Sequence, residues 1–197
     1  MKIHNLTQGT PEWHALRAGR MTASHANTIA VAGKGLETYI YETIASKFSS
    51  AEPDNYTNEQ MRRGNELEAQ ARDMYELETG NEVKEVGFIE IDEYSGASPD
   101  GLIGDDGGLE IKCHNDKNHF LLILNGKEGI AKNYYMQIQM NLLASGRKWW
   151  DYCAYNPNFK RSLIIHRIER DEVVIEKIKM GLEKGKNMIK DILNKLK

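Results

Sequence analysis

The residues that can do chemistry are concentrated in Ser98-Pro99-Asp100-Gly101 and, after a short Gly/Asp-rich turn, Leu109-Glu110-Ile111-Lys112. Side chains on a strand alternate faces, so Glu110 and Lys112 point one way while Leu109 and Ile111 point into the core. Asp100 is expected on the preceding strand, which the turn brings back beside Glu110. The two carboxylates then converge, with the Lys112 ammonium next to them. Two acids and a backbone carbonyl, that of Ile111, suit a hard divalent cation such as Mg²⁺, which takes oxygen ligands and keeps several waters. Such a cation lowers the pKa of a bound water and offsets negative charge on a phosphoryl group under attack. Lys112 can orient that water, deprotonate it, or stabilise developing charge, and the sequence does not choose among these. A bare Glu-x-Lys also occurs on ordinary amphipathic strands. Specificity comes from requiring Asp100, a turn of the right length and a further upstream acid together.

The upstream acid is Glu68. Gly64, Glu68 and Arg72 share a helix face at a spacing of four, and Gly64 leaves room for a ligand or another backbone to approach. Taken alone, Glu68 and Arg72 read as a solvent-exposed i,i+4 ion pair.

The elements that must position these groups follow from periodicity and punctuation. Thr10-Pro11-Glu12-Trp13 reads as a helix start, with Thr10 as N-cap, and the helix stops near Gly19. Residues 1–9 read as irregular. Further helices are expected from about Ser24 to Gly33, over 36–48, and from about Asn58 to Thr79, with a polar loop at 49–57. Strands are expected at Val83–Ile91, Ala97–Ile103 and Leu109–Cys113, the last two joined by a hairpin at Gly104-Asp105-Asp106-Gly107-Gly108. A helix around 129–145, strands at 149–155 and 163–169, and a helix from 171 to the C-terminus complete the reading. Its stripe Ile175, Ile178, Leu182, Gly185, Ile189, Ile192, Leu196 suits packing on its own domain better than a coiled coil, because Gly185 interrupts it. The pattern predicts one α/β (α+β) domain over 1–197: a central mixed β-sheet flanked by helices, with 171–197 as a C-terminal helix.

Composition sets outer limits. The chain has 197 residues, 26 Lys+Arg against 29 Asp+Glu, and a net charge of −3. That excludes nucleic-acid binding driven by bulk positive charge, but not carboxylates that hold cations. The two cysteines, Cys113 and Cys153, exclude a disulfide framework, a four-cysteine zinc site and a single-chain iron–sulfur cluster. None of the six histidines forms a His-x-x-x-His pair, which argues against a zinc hydrolase. His114 and His119 lie just past the reactive strand, where they could approach the site, but loop polarity is the simpler reading. Trp149-Trp150 reads as core. The polar N-terminus and the absence of a long apolar run predict no signal peptide, no membrane span and a cytoplasmic location.

Taken in order, the motifs resemble the phage lambda exonuclease / YqaJ-like viral recombinase family of the PD-(D/E)XK nuclease superfamily. The resemblance is collinear from about Trp13 to Arg170. It runs through Glu12-Trp13-His14-Ala15-Leu16-Arg17-Ala18-Gly19, Thr22-Ala23-Ser24, Gly64-x-x-x-Glu68-x-x-Ala71-Arg72, Ser98-Pro99-Asp100-Gly101-Leu102, Gly108-Leu109-Glu110-Ile111-Lys112-Cys113, Tyr134-x-x-Gln137-Ile138-Gln139 and Tyr155-Asn156-Pro157.

The resemblance implies a restriction-endonuclease-like fold and a metal-dependent 5′→3′ exonuclease that degrades one strand of duplex DNA to leave 3′ overhangs for recombination. It implies Mg²⁺, replaceable by Mn²⁺, on Asp100, Glu110 and the Ile111 carbonyl, with Glu68 at a second ion or acting through water. It makes Lys112 the catalytic lysine and places Arg17, Ser24, Ser98 and Gln137 at the substrate's terminal 5′-phosphate. Arg17 suits charge-assisted bonds to phosphate, and Ser24 can offer its hydroxyl and nearby helix amides. The implied partners are double-stranded DNA ends, a single-strand annealing protein and further copies of the chain in a trimeric ring, in a phage- or prophage-encoded system. Two alternatives stand beside this reading: an endonuclease or repair nuclease that needs no DNA end, and a DNA-binding accessory module that does not cleave.

Overall fold

The computed structural model describes residues 2–49 and 59–196, with the side chains of 59–63 and 65 left aside. The polar loop expected at 49–57 and the helix start at Asn58 fall almost wholly outside the described residues. In chain order the elements are β1 (Lys2–His4), α1 (Pro11–Arg17), β2 (Met21–Thr22), α2 (Ala26–Val31), α3 (Lys34–Phe48), α4 (Glu59–Thr79), β3 (Val83–Lys84), β4 (Phe88–Asp92), β5 (Ser95–Ala97), β6 (Gly101–Ile103), β7 (Gly107–Cys113), α5 (Asp116–Asn125), α6 (Lys132–Ser145), β8 (Trp149–Tyr155), β9 (Leu163–Glu169) and α7 (Glu172–Lys195).

The strands form two mixed sheets in place of one. The larger has the order β3-β6-β7-β8-β9, antiparallel except for β7 beside β8; the smaller has the order β1-β4-β5-β2, with β2 parallel to β5. The parallel pair needs a crossover, and α5 and α6 supply it. Both faces of the larger sheet are covered. On one side Leu109 and Ile111 pack with Ala71 and Tyr75 of α4. On the other, Trp150, Tyr152 and Ile168 join Ile138 and Leu142 of α6 and Ile175 and Ile178 of α7. Glu110 therefore faces a packed helix and is fully buried.

Several expected elements hold. Thr10 caps α1, its hydroxyl accepting from the Trp13 amide at 3.4 Å, with Pro11 in the first turn. Gly80, at φ +68°, follows α4. The hairpin between β6 and β7 forms, and β8 and β9 match their predicted ranges. The apolar stripe of α7 packs on its own chain through Ile175, Ile178, Leu182, Gly185 and Ile189. Gly185 sits so close to Met21 that a Cβ there would collide with its sulfur.

Four expectations are corrected. The single strand at 83–91 is two strands in different sheets, β3 and β4. Gly87 marks the crossing point, because a Cβ there would collide with the Leu6 carbonyl. The strand at 97–103 is broken into β5 and β6 by Ser98-Pro99-Asp100; Pro99 has no N–H to give a ladder. Residues 2–4 are not irregular but pair with β4 through Lys2↔Glu90 and His4↔Phe88. Helix α5 is absent from the sequence reading. Its cap, Asn115 Oδ1 accepting from the Asn118 amide at 2.9 Å, was the available signal.

Candidate active site

The site lies where β6 ends and β7 continues past it. Asp100 is half-buried just before β6, outside any strand, contrary to the expectation that it sits on one. Its Oδ2 accepts from the Ile111 amide at 2.6 Å. The N–H and C=O of one strand residue point to the same edge, so the Ile111 carbonyl also faces the Asp100 side. From the face of β7 that meets α6, Glu110 Oε1 accepts from Lys112 Nζ at 2.5 Å and from Gln137 Nε2 at 2.6 Å. Its Oε2 accepts from Asn141 Nδ2 at 3.0 Å. The Lys112 Nζ also stands 5.3 Å from the centre of the Tyr134 ring.

The electrostatics are those of one fully buried acid, Glu110, and two partly exposed ones, Asp100 and Glu68, whose charges interact. Burial pushes the Glu110 carboxyl up to about 7, against the pull of Lys112, and Asp100 raises it further. Asp100 is raised chiefly by burial, and Glu68 by burial and then by the charge of Asp100. Lys112 stays protonated far above the usual lysine range: burial lowers its pKa, but Glu110 and Asp100 together outweigh that. Glu68 bonds Arg72 at 3.1 Å, the i,i+4 pair read from the sequence, and Arg72 reaches on to Glu85 at 3.1 Å. A Cβ on Gly64 would meet nothing within 4 Å among the described residues.

The expected convergence of Asp100, Glu110 and Lys112 is thus met as electrostatic proximity. It is not met as a gathered ligand set: among the described residues no three His, Cys, Asp or Glu side chains form a metal cluster. The donor chemistry still fits a hard cation, since Asp100, Glu110, Glu68 and the Ile111 carbonyl offer only oxygen. The charge of Asp100 also raises Glu110 and Glu68, which a divalent charge would oppose.

The second expected group divides. Arg17 Nη1 donates to Ser98 Oγ at 2.8 Å, and Trp13 Nε1 donates to the same oxygen at 3.1 Å. The Arg17 guanidinium stacks 4.1 Å over the Trp13 ring, and burial lowers its pKa to about 10. No carboxylate pairs with it among the described residues. Ser24 lies inside a 3₁₀ turn (Ala23–His25) and caps nothing; its exposed hydroxyl meets Thr22 Oγ1 at 3.1 Å and His25 Nδ1 at 3.2 Å. Among the described residues Ser24 bonds neither Arg17 nor Ser98. Gln137 is bonded to Glu110 and not to the Arg17 group.

Two residues near Lys112, Asn141 and Tyr152, escaped the sequence reading, and His114, read there as loop polarity, is hydrogen-bonded to Tyr152. Asn141 lies one turn after Gln137, a spacing that could have flagged it. His114 Nε2 and Tyr152 OH are 2.6 Å apart, beside a cleft of about 170 Å³ that Tyr134 also lines. Burial lowers the His114 pKa to about 4. His119 is fully buried against the Arg161 carbonyl at 2.8 Å, so it is structural. Trp150 is core, as expected.

Residues 12–148 match the YqaJ-like viral recombinase domain. The chain belongs to that family. It is similar to an alkaline exonuclease (LHK-Exo) from Laribacter hongkongensis, with 34% identity, TM-score 0.86, and 95% of this chain and 96% of that one covered. The same figures hold for LHK-Exo in complex with dAMP. A phage related exonuclease from Haemophilus somnus 129PT shares the fold at 16% identity, TM-score 0.74, covering 93% of this chain and 99% of that one. No curated protein matches. Family and relatives support an exonuclease role for the chain, on a mixed α/β fold whose sheets are flanked by helices. No helix of the described residues is long and apolar enough to cross a membrane.

Proposed function

We propose that this chain is a metal-dependent 5′→3′ exonuclease that degrades one strand of linear double-stranded DNA and leaves a 3′ overhang for phage-type recombination. The observation that carries the reading is a covalent one. Ser98, which holds Arg17, is two residues from Asp100, which is bonded to the strand of Glu110 and Lys112. An anion held by the desolvated Arg17 guanidinium is therefore a fixed short distance from the acids and the lysine. A terminal 5′-phosphate there would set which phosphodiester reaches the acids, and so would give polarity.

In this reading Asp100, Glu110 and the Ile111 carbonyl hold Mg²⁺, or Mn²⁺ in its place, with Glu68 at a second ion or acting through water. The bound ion supplies an acidified water and charge compensation at phosphorus. Lys112 enters as an ammonium, because two acids keep it protonated. In this role it would stabilise negative charge on the phosphoryl oxygens. Gln137 steadies Glu110 and lies one helical turn from Tyr134, which faces the lysine. The proposed partners are DNA ends, a single-strand annealing protein that takes the exposed strand, and further copies of the chain in a ring that holds the duplex. The setting is a phage- or prophage-bearing cytoplasm.

The test uses 5′- or 3′-labelled linear duplex and closed circular duplex, with and without Mg²⁺. Mononucleotides released from the 5′ end of linear DNA, only with metal, are the expected result. Cutting of the closed circle points to internal cleavage, and binding without release to an accessory module; either overturns the proposal.

A further inference from the structure

Helix α6 carries two fully buried amides, Gln139 and Asn141, two positions apart. Gln139 is closed at both ends. Its Nε2 donates to the Glu169 carbonyl at 2.9 Å and its Oε1 accepts from the Asp171 amide at 2.9 Å. It ties α6 to the junction of β9 and α7, which is a structural task. Asn141 is different. Its Nδ2 donates to Glu110 Oε2 at 3.0 Å, while its Oδ1 has no partner among the described residues.

An unmet buried acceptor costs about 1–3 kcal/mol, and a leucine of similar volume would avoid that cost. Packing alone therefore does not call for an amide at this position. What the amide provides is direction. Lys112 and Gln137 both converge on Oε1, and Asn141 is the donor that holds Oε2. Donors on both oxygens fix the rotation of the carboxylate about its last bond. They also leave its remaining lone pairs facing a defined way.

We propose that Asn141 is a positioning residue, which sets the orientation of the Glu110 carboxylate for a divalent cation. This rests on the metal-dependent nuclease reading above. Groups of this kind, which hold a ligand without touching the ion, change metal affinity by about 10–100-fold when removed.

The experiment measures three things on the metal-stripped full chain: Mn²⁺ binding from the paramagnetic resonance of free Mn²⁺, kcat and KM on linear duplex at saturating Mn²⁺, and Tm in EDTA. Asn141→Leu should bind Mn²⁺ about tenfold or more weakly. Its kcat should fall while KM for DNA and the Tm in EDTA hold. Asn141→Ala removes the donor without adding bulk and carries the test if the leucine variant does not fold. Gln139→Leu should do the reverse, lowering Tm and leaving Mn²⁺ affinity alone. Unchanged Mn²⁺ affinity in a folded Asn141 variant, with the parent chain binding and cleaving normally, overturns the positioning role alone. A parent chain that neither binds Mn²⁺ nor cleaves DNA overturns the nuclease reading beneath it.

Discussion

Two carboxylates are buried on adjacent strands of the larger sheet, and they face opposite sides. Asp151 of β8 turns toward α4, where Arg167 Nε and Nη2 reach its two oxygens at 2.9 Å each and Tyr75 OH donates at 2.7 Å. Arg167 in turn stacks 3.5 Å over Trp149. Glu110 of β7 turns toward α6 and receives Lys112, Gln137 and Asn141. Both acids are well supplied with donors. The difference is the company they keep. Asp151 sits in a planar fork that matches its geometry. Glu110 has a second acid, Asp100, raising its pKa, and a third, Glu68, raised by Asp100 in turn. A matched fork is a stable end point; Glu110, Asp100 and Glu68 share Lys112 and Arg72 less evenly, and Glu110 and Glu68 both stay raised by Asp100. Burial of charge alone does not mark a site, whereas unbalanced burial does.

The comparison can be broken at either end. The largest effect is expected for Lys112→Ala, which should lower cleavage by about 10³-fold or more while the circular dichroism spectrum and DNA binding hold. Near-normal cleavage by a clean preparation would take the lysine out of the mechanism. Next is Arg17→Ala, expected to slow digestion of 5′-phosphorylated ends by about 10–100-fold, the value of one or two charged hydrogen bonds. Ends bearing a 5′-hydroxyl should change little, and equal losses on both would remove the phosphate pocket.

The pH dependence follows from Glu110, whose pKa burial raises from 4.5 to about 7. A metal ligand must lose its proton, so Mn²⁺ affinity should climb by up to about tenfold per unit as pH rises toward 7, then level off. Without metal the sign is opposite for stability. The folded state binds this proton more tightly than the unfolded chain, so the contribution is present below 4.5 and is lost as pH rises through about 7. Paired titrations of Mn²⁺ affinity and Tm across that window would show the two trends. The smallest effect is expected at the balanced acid: Tyr75→Phe should cost about 1–2 kcal/mol, or a few degrees of Tm, and leave cleavage unchanged. A loss of cleavage there would mean that the two acids are not independent.

Legibility from sequence tracked how local each signal was. The cap of α1, the hairpin after β6, the strands β8 and β9 and the stripe of α7 are written in neighbouring residues, and all were readable. The breaks at Gly87 and Pro99 were less so. Val83–Ile91 looks continuous, and only the approach of Leu6 to Gly87 divides it. Pro99 inside 97–103 was a local signal of a break, but its consequence, two segments in different sheets, was not. Within the candidate site, the proximity of Asp100 to Glu110 and Lys112 was legible because Asp100 directly precedes β6, which one short turn joins to β7.

What the sequence determined by itself is therefore the candidate groups, the strand alternation that puts Glu110 and Lys112 on one face, and the family to which the motifs belong. Tertiary structure decided the rest. It brought Arg17 from α1 to Ser98, turned Gln137 and Asn141 of α6 onto Glu110, and covered that face of the sheet so that the acid is desolvated. The reason is range: strand periodicity acts over a few residues. The charge state of a buried acid depends on every dipole and charge within several ångströms, whatever their separation along the chain.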